Sequence, residues 1–514
     1  MIDIAGIAGG FITLFQPTVI VALLIGFSIG IFFGMMPGLT ATLAIALLLP
    51  FTFVMDVIPA LVMTMGIFMA GMYAGSITAT TINIPGAPGA MMTGLEGYPM
   101  MQRGEGAKAL RIAAFASLIG GTVSVLMLMV IAPLVAQVAL EIRTPDRFSL
   151  ILLALVVVSV IQRGAVVKGI IATVIGLMFA TVGMDMMEPI ARFHFGTEEL
   201  TAGLTLIPVI IGIFVISELL VQVEMGGKGL GITQKVKLRR KDFIAGPREL
   251  KELGWKTYAK GTLIGHLIGA LPGAGASVAT FLSYAEAKRA SKHPERYGKG
   301  TPEGIAATET ANNAICGGAL VPVLTFGIPG DATTALVLGV FLIQGIVPGP
   351  LLLVKEFHLI APMYAALFVS ALLIPVALVI FGPYYLWLVR VNRAILYSFI
   401  AVIAMVGAYV ASFSSLQMGL ALFTGVVAYF FRKQGYPTIP ILMGYILGPL
   451  AEVFLRRSLI LSGGSPLIFF TSPASVIFLV LAVVFIYFLG VRPWLRSQVG
   501  RKLREKSEDS ELLK

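Results

Sequence analysis

The sequence predicts an all-α, polytopic membrane protein with roughly twelve transmembrane helices in two inverted repeats. Composition is the first reason: 57% of the 514 residues are hydrophobic and 12% are charged, whereas soluble domains carry about 25% charged residues. The second is a motif that interrupts an apolar run and occurs twice. The third is the distribution of Lys and Arg. We expect Pro-Gly-broken or re-entrant helices whose breaks lie at the bilayer midplane.

The apolar runs are the predicted membrane segments. They lie at about 17–36, 39–55, 57–82, 110–140, 147–161, 166–184 and 203–222, and then at about 258–282, 305–328, 332–354, 359–381, 384–412, 416–431, 437–460 and 467–490. A complete helical crossing needs about 20 residues. Several runs are shorter, so we expect some of them to be half-helices or re-entrant segments.

The basic residues set the predicted orientation. The net charge of +11 does not indicate nucleic-acid binding, because Lys and Arg are concentrated in short connectors between apolar runs. The basic loop 223–257 and the charged tail 491–514 are predicted to be cytoplasmic, and the loop separates an N-terminal repeat half, 1–222, from a C-terminal half, 258–490. Seven runs precede the loop, so the second half enters the membrane from the opposite side. No cleaved signal peptide is expected.

The duplicated motif reads GFSIGIFFGMMPGLTATLA at Gly26–Ala44 and GTLIGHLIGALPGAGASVA at Gly261–Ala279, with eight of the nineteen positions identical. Glycine at every fourth position leaves one helix face smooth, so another helix can approach it closely. The Pro-Gly pair then breaks the helix, because proline lacks a backbone donor and glycine tolerates the dihedral angles that follow. We therefore expect equivalent helix breaks at Pro37 and Pro272.

A second pair of motifs supports the duplication. Ile84-Pro85-Gly86 and Ile328-Pro329-Gly330 each follow an apolar or hydroxyl-rich helix. A single Pro or Gly is common at turns and helix ends and needs no functional explanation, but four breaks in two matched pairs favour a shared role. Matched interruptions in the two halves of a membrane protein point to the binding site of a transporter. We expect the four breaks to converge on one midplane site.

The stretches GMMPGLTATLAIALLLPF, AGSITATTINIPGAPGA, ALPGAGASVATFLSYAEAKR and GTPEGIAATETANNAICGGALVPVLTFGIPGDATTALVLG resemble the large membrane subunit of the tripartite tricarboxylate transporter family. The resemblance extends from about Gly26 to the 480s. It implies an ion-coupled secondary transporter of the bacterial inner membrane that takes up citrate or another di- or tricarboxylate by symport. The implied partners are a small four-helix membrane subunit and a periplasmic solute-binding protein.

The candidate substrate-binding residues surround the four breaks. Helix N-termini provide unpaired N–H groups and partial positive charge for a carboxylate, and hydroxyl groups can donate to the anion or accept from it. Ser and Thr also favour helix starts for capping alone, which is the alternative explanation. The candidates are Pro37, Gly38, Thr40, Thr42, Pro85, Gly86, Pro88, Gly89, Pro272, Gly273, Gly275, Ser277, Pro329, Gly330, Thr333 and Thr334.

The candidate ion-binding residues are polar groups inside apolar runs, where they are costly and usually functional. They are Asn83, Glu309, Asn312, Asn313 and Asp331. Glu309, Asn312 and Asn313 share one helix face by their i, i+3, i+4 spacing. For Asp331 the alternative to ion binding is helix capping. For Glu309 the alternative is a position in the watery entrance of its helix. His266 is expected to form a helix–helix hydrogen bond rather than a proton relay.

No enzyme activity is expected, since the sequence lacks HExxH and GxxxxGK[ST] motifs. The single cysteine, Cys316, excludes a disulfide framework and a zinc cluster. We expect no cofactor or resident metal, and either sodium or a proton as the coupling ion. The alternative function is an anion channel, or another carboxylate permease, that works without a binding protein.

Overall fold

The structure is a computed structural model that describes residues 3–161, 166–225, 240–244, 253–385 and 392–492. Much of the basic loop 223–257 and nearly all of the tail 491–514 lie outside the described residues. The chain divides into two compact units, Met1–Leu140 with Thr205–Tyr429, and Glu141–Leu204 with Phe430–Lys514. These units differ from the predicted halves, because a compact unit in space need not coincide with a repeat along the chain.

Helices form nearly all of the regular structure. In chain order they are α1 Ile4–Leu14, α2 Pro17–Met35, α3 Ala41–Phe53, α4 Val57–Ile82, α5 Met91–Gln102, α6 Gly106–Leu140, α7 Thr144–Val160, α8 Val166–Ala180, α9 Leu206–Glu224, α10 Trp255–Gly269, α11 Gly275–Ala290, α12 Pro302–Phe326, α13 Ala332–Ile343, α14 Pro350–Lys355, α15 Phe357–Phe381, α16 Arg393–Val410, α17 Ser415–Lys433, α18 Ile439–Leu461 and α19 Pro473–Phe485. An antiparallel pair of two-residue strands, β1 Gly183–Met184 and β2 Ala191–Arg192, follows α8. The prediction of an all-α membrane protein is otherwise confirmed for the described residues.

Eight helices of the described ranges are long and apolar enough to cross a membrane. They are α2, α4, α6, α9, α15 (extended to Tyr384), α17, α18 and α19 (extended to Val491). Shorter apolar helices include α3 and α13, which begin at the Pro-Gly motifs. The helix breaks predicted at Pro37 and Pro272 are confirmed: α2 ends at Met35 before Pro37, and α10 ends at Gly269 before Pro272.

Glycine ridges hold α2 against α4 and α10 against α12 in the first unit. The facing pairs are Gly26 with Met63, Gly30 with Ile67 and Gly34 with Gly71, and then Gly261 with Ala307, Gly265 with Ala311 and Gly269 with Ile315. A Cβ on these glycines would overlap or crowd the backbone of the facing helix. In each set of facing pairs, the residue numbers of the two helices increase together. α2 therefore runs parallel to α4, and α10 runs parallel to α12.

The helices on either side of each Pro-Gly break fold back as hairpins. α3 ends at Phe53 and α4 begins at Val57, so the end of α3 lies close to the start of α4. Because α2 runs parallel to α4, the end of α3 also lies level with the start of α2. In the second hairpin, Lys260 near the start of α10 forms a 2.8 Å ion pair with Glu286 near the end of α11. Both motifs therefore turn the chain back toward the side from which it came.

The central helices α4 and α12 meet near their midpoints. Asn313 donates its side-chain N–H to the carbonyl of Met69 over 3.1 Å, and Asn312 donates to the carbonyl of Met72 over 2.8 Å. The residue preceding α12, Thr301, binds Glu96 of α5, and α5 follows the end of α4. α12 thus begins at the level where α4 ends, so these two helices are antiparallel.

The second unit is built from α7, α8, α18 and α19. Gly176 of α8 and Gly444 of α18 lie against the backbone of the facing helix. An ionic cluster fixes the β1–β2 loop to α18: Arg192 binds Glu452 at 2.7 Å, and Arg456 binds Asp185 at 2.6 Å. The backbone N–H of Met187, assisted by the neighbouring Arg456, lowers the pKa of Asp185 to about 2.

We expect Gly30→Leu and Gly265→Leu to lower the stability of the protein by about 1–3 kcal/mol or more, because the new side chains would force the facing backbones apart. Gly419→Leu on α17 is the matched control, since no atom of the described residues lies within 4 Å of a Cβ at that position. The measurement is the apparent Tm of purified protein in detergent at a fixed scan rate. Equal Tm values for all three variants would show that the glycine ridges are not tightly packed.

Candidate functional site

The four breaks lie in the first unit and form a connected cluster, called the break region here. Its segments are 36–42, 83–91, 270–277 and 327–334. Gly86 packs on the carbonyl oxygen of Gly34, and Gly330 packs in the same way on that of Gly269. Each Ile-Pro-Gly motif is therefore seated on the last glycine of the ridge in its own half. A Cβ at Gly86 or Gly330 would overlap that oxygen.

Two contacts join the breaks of one half to those of the other. Thr42 Oγ1 lies 2.7 Å from Thr333 Oγ1, at the starts of α3 and α13. Gly89, in the 3-10 turn before α5, lies against Ala276 of α11 and the side-chain oxygen of Asn312. Each half thus contributes a helix start to both pairs, so that α3 begins beside α13 and the turn before α5 lies beside α11.

The paired helices also run in the same direction. Tyr284, in the second half of α11, donates its hydroxyl to Glu96, in the middle of α5, over 2.7 Å. Gln344, directly after α13, donates to the carbonyl of Met55, just beyond α3, over 3.2 Å. The helices of each pair therefore contact each other again beyond their starts, and all four lead away from the break region.

The predicted substrate residues differ in their positions and contacts. Thr42 and Thr333 face each other, whereas Thr40 and Thr334 serve as caps. Ser277 is exposed on α11. Gly38, Gly273 and Gly275 have the positive φ values +87°, +78° and +64°, which glycine accommodates. The remaining candidates differ in burial: Pro85 and Pro272 are half-buried, Pro88 is exposed, and the buried ones are Pro37, Pro329, Gly86, Gly89 and Gly330.

Glu309 lies deep in the protein. Its side chain is fully buried, and its two carboxyl oxygens accept from Thr93 over 2.5 Å and from Ser117 over 3.1 Å. Thr93 also lies 3.0 Å from Thr308. The alternative prediction that Glu309 occupies a watery helix entrance is therefore wrong, because α5, α6 and α12 enclose it. Two hydroxyl donors partly compensate a carboxyl group that has lost its contact with water.

In the described part of the chain, the side-chain amides of Asn312 and Asn313 form hydrogen bonds through their N–H groups but not through their oxygens. Their N–H groups donate to carbonyls of α4, but within the described residues both side-chain oxygens are buried without a hydrogen-bond partner. A buried acceptor without a donor costs about 1–3 kcal/mol. Such an oxygen is suited to a bound cation or to a donor supplied by a ligand. The carboxyl group of Glu309 thus contacts α5 and α6, and the amide N–H groups of Asn312 and Asn313 contact α4.

The other two predicted ion-binding residues have local structural roles. Asp331 caps α13: its carboxylate accepts from the N–H of Thr334 over 2.8 Å, while the Asp331 N–H donates to the Thr334 hydroxyl over 2.9 Å. Asn83 ends α4 in the left-handed conformation, with φ 56°, and its side chain is exposed. It lies eleven residues beyond Met72, about 16 Å along the helix axis.

His266 bridges three helices, as expected for a structural hydrogen bond. Its Nδ1 lies 2.8 Å from the Ser124 hydroxyl, which in turn donates to the carbonyl of Ala314. The expected helix–helix contact is confirmed. Because the Ser124 proton is directed to Ala314, the Nδ1 of His266 carries the proton in this hydrogen bond.

Two polar residues beside the break region were missed by sequence reasoning. Glu96 is fully buried and accepts from the N–H groups of Gly300 and Thr301 over 2.7 Å each. Glu96 lies outside the predicted apolar runs, so the rule that polar groups inside such runs are usually functional did not identify it. Gln222 of α9 packs against Gly38 and accepts from the Tyr397 hydroxyl over 3.1 Å. Its position could not be found from sequence, because α9 is distant from Gly38 along the chain.

These observations define the class of the protein as a polytopic α-helical membrane protein whose matched helix breaks meet in one polar cluster. The chain belongs to the tripartite tricarboxylate transporter TctA family, whose pattern it matches over residues 20–443. The resemblance noted from the motifs is thereby confirmed. Membership makes the protein a component of a tripartite tricarboxylate transporter.

Two relatives come from Agrobacterium vitis. The chain is 34% identical over 502 residues to an "Uncharacterized 52.8 kDa protein in TAR-I ttuC' 3'region", covering 96% of this chain and 97% of that protein. It is 33% identical over 234 residues to an "Uncharacterized protein in TAR-II ttuC' 3'region", covering 46% of this chain and 96% of that protein. No solved structure matches the chain.

Replacing Asp331 separates capping from ion binding. Asp331→Ala should destabilise the protein by about 1 kcal/mol through loss of the cap, whereas Asp331→Asn should retain the cap, because an amide oxygen also accepts from the Thr334 N–H. The measurement is the apparent Tm together with the apparent affinity for added sodium ions. A stable Asp331→Asn variant with weakened ion affinity would contradict a purely structural role.

Proposed function

We propose that this protein is the large membrane subunit of an ion-coupled importer of a small carboxylate, working in a bacterial inner membrane. A periplasmic solute-binding protein delivers the substrate, and a small four-helix membrane subunit completes the transporter. The observation that carries the proposal is the cluster of paired helix starts in the break region. Membership of the TctA family supports the class, and citrate or another di- or tricarboxylate is the proposed cargo.

The chemistry of the break region suits an anion that is held without formal positive charge. Its four segments contain no Lys or Arg. The free N–H groups at the starts of α3, α11 and α13 supply donors and partial positive charge. The neighbouring hydroxyls of Thr42 and Thr333 add donors at the point where two helix starts meet. Glycine on the substrate side allows the backbone itself to approach a carboxylate.

The coupling cation is proposed to bind between α4, α5 and α12. Glu309 provides a buried carboxylate, Thr93 provides a hydroxyl beside it, and Asn312 provides an amide oxygen without a protein partner. These are oxygen donors, which suit sodium, and a carboxyl group also suits a proton. Asn313 borders the same place from α12. Asn83 is excluded from this proposed site because it lies at the exposed end of α4.

The two halves are proposed to be inverted repeats within a fold of about twelve crossings. Asn83 and Gly327 precede the two Ile-Pro-Gly motifs, and both end their helices in the left-handed conformation, with φ 56° and 68°. They are 244 residues apart, and the same offset aligns Met69 with Asn313. These two residues touch where α4 and α12 cross, as expected for positions on a two-fold axis. The antiparallel course of α4 and α12 supports opposite entry of the halves.

Uptake by the reconstituted transporter tests the substrate site. With both partners present, Gly86→Ala and Gly330→Ala should each lower carboxylate uptake at least about tenfold, a loss of about 1.4 kcal/mol, because a Cβ would displace the Ile-Pro-Gly turn. Gly419→Ala should transport normally. Omission of the binding protein should leave little uptake. Uptake that ignores every ion gradient and needs no binding protein would instead indicate a channel or an independent permease.

Glu309→Gln tests the cation site. The amide cannot be deprotonated and carries no charge, so the variant should lose sodium stimulation if sodium is coupled, or the dependence on a pH gradient if protons are coupled. Initial rates in proteoliposomes under each gradient are the measurement, with Glu303→Gln at the start of α12 as the matched control. Wild-type coupling in the Glu309→Gln variant would refute this assignment.

A further inference from the structure

An apolar groove lies between α10 and α11, the two arms of the second hairpin. It has a volume of about 580 Å³ and is lined by Leu263, Ile264, Leu267, Ile268, Leu282 and Ala285. Leu263 and Leu267 are half exposed, at 50% and 54%. The volume falls within the range of roughly 300–1,000 Å³ that is typical of small-molecule sites. The groove is thus large enough for a ligand and is apolar along its length.

Three charged residues close one end of this groove. Glu286 accepts from Lys260 over 2.8 Å through one carboxyl oxygen, and from Arg289 over 2.7 Å through the other. Two cations therefore share one carboxylate, which leaves a net charge of +1. The side chains of Lys260 and Arg289 are 50% and 80% exposed. Lysine has three N–H donors and arginine has five, so both retain donors for a second anion.

We propose that this groove is a specific site for an anionic phospholipid. One acyl chain lies along the leucines and isoleucines, and the headgroup phosphate binds Lys260 and Arg289. Basic pockets between membrane helices are a known type of site for anionic headgroups. The long apolar lining favours a lipid over free phosphate, because free phosphate would use only the charged end. The exposed Trp255 at the start of α10 marks the interfacial level, where Trp residues concentrate.

The proposal is independent of the transported substrate. It needs only that the hairpin lies in a membrane, and it assigns a ligand to residues outside the break region. The lipid would bind both arms of the hairpin at the end where Lys260 and Glu286 already join them. An anionic headgroup there would neutralise the excess positive charge that this ion-paired cluster carries.

Fluorescence quenching by brominated lipid tests the site. The full chain contains three Trp residues, so Trp387→Phe with Trp494→Phe leaves Trp255 as the reporter. The protein is reconstituted in bilayers containing dibrominated phosphatidylglycerol or, at the same mole fraction, dibrominated phosphatidylcholine. We expect the anionic lipid to be preferred about fivefold at the site, since a cation near the surface contributes about that factor.

Variants of the charged end decide the outcome. Lys260→Gln with Arg289→Gln should abolish the preference, Lys260→Arg should retain it, and Lys288→Gln should leave it unchanged, because Lys288 is exposed on α11 and does not line the groove. Equal quenching by both lipids in the parent protein would overturn the proposal and indicate bulk lipid or an apolar partner. Relief of quenching by inorganic phosphate would overturn it in favour of a free-anion site. If the double variant fails to fold, the parent lipid comparison and Lys260→Arg still decide the question.

Discussion

The rest of the structure depends on one constraint: a helix broken within a membrane must have its freed backbone groups satisfied by protein. The break region meets this requirement with glycine. Gly86 donates its N–H to the carbonyl of Gly75 over 3.3 Å, and Gly273 donates to that of Gly330 over 2.7 Å. At Gly86 the close approach leaves no room for a Cβ, which would overlap the carbonyl oxygen of Gly34 and crowd the backbone of Gly75. The glycine ridges bring the helices close enough for these hydrogen bonds to form, so the helix breaks depend on the close packing.

The same constraint explains why the halves are interleaved. A short half-helix such as α3 or α13 cannot span the membrane alone, and its first N–H groups have no partner within the helix. Pairing the starts of α3 and α13, and placing α11 beside the turn before α5, encloses these groups within protein. The caps at Thr40 and Asp331 satisfy some of them. In the proposed site, the remaining donors bind the substrate.

Helix breaks and caps could be predicted from the sequence where a residue type determines the backbone conformation. Pro37 and Pro272 predicted the breaks because proline cannot continue the helical hydrogen bonding, and Asp331 had capping as a stated alternative. Asn83 was interpreted as a ligand because the sequence does not reveal its left-handed backbone. The Thr42–Thr333 contact joins residues 291 positions apart, and no local pattern encodes such a pairing. Glu309 was found as a costly polar group, but its enclosure by α5 and α6 depends on tertiary packing.

In the proposed mechanism, the absence of Lys and Arg from the break region makes cation binding necessary. A carboxylate substrate would approach a site that already contains the acidic groups of Asp331 and, deeper in the protein, Glu309. Helix N-termini contribute only about half a positive charge each, so a multiply charged anion remains undercompensated until a cation binds. The cation and the anion therefore each raise the affinity for the other, and this coupling is reciprocal by thermodynamic necessity. In a site that contained an arginine, the anion would depend less on the charge of the cation, and this contribution to coupling would be smaller.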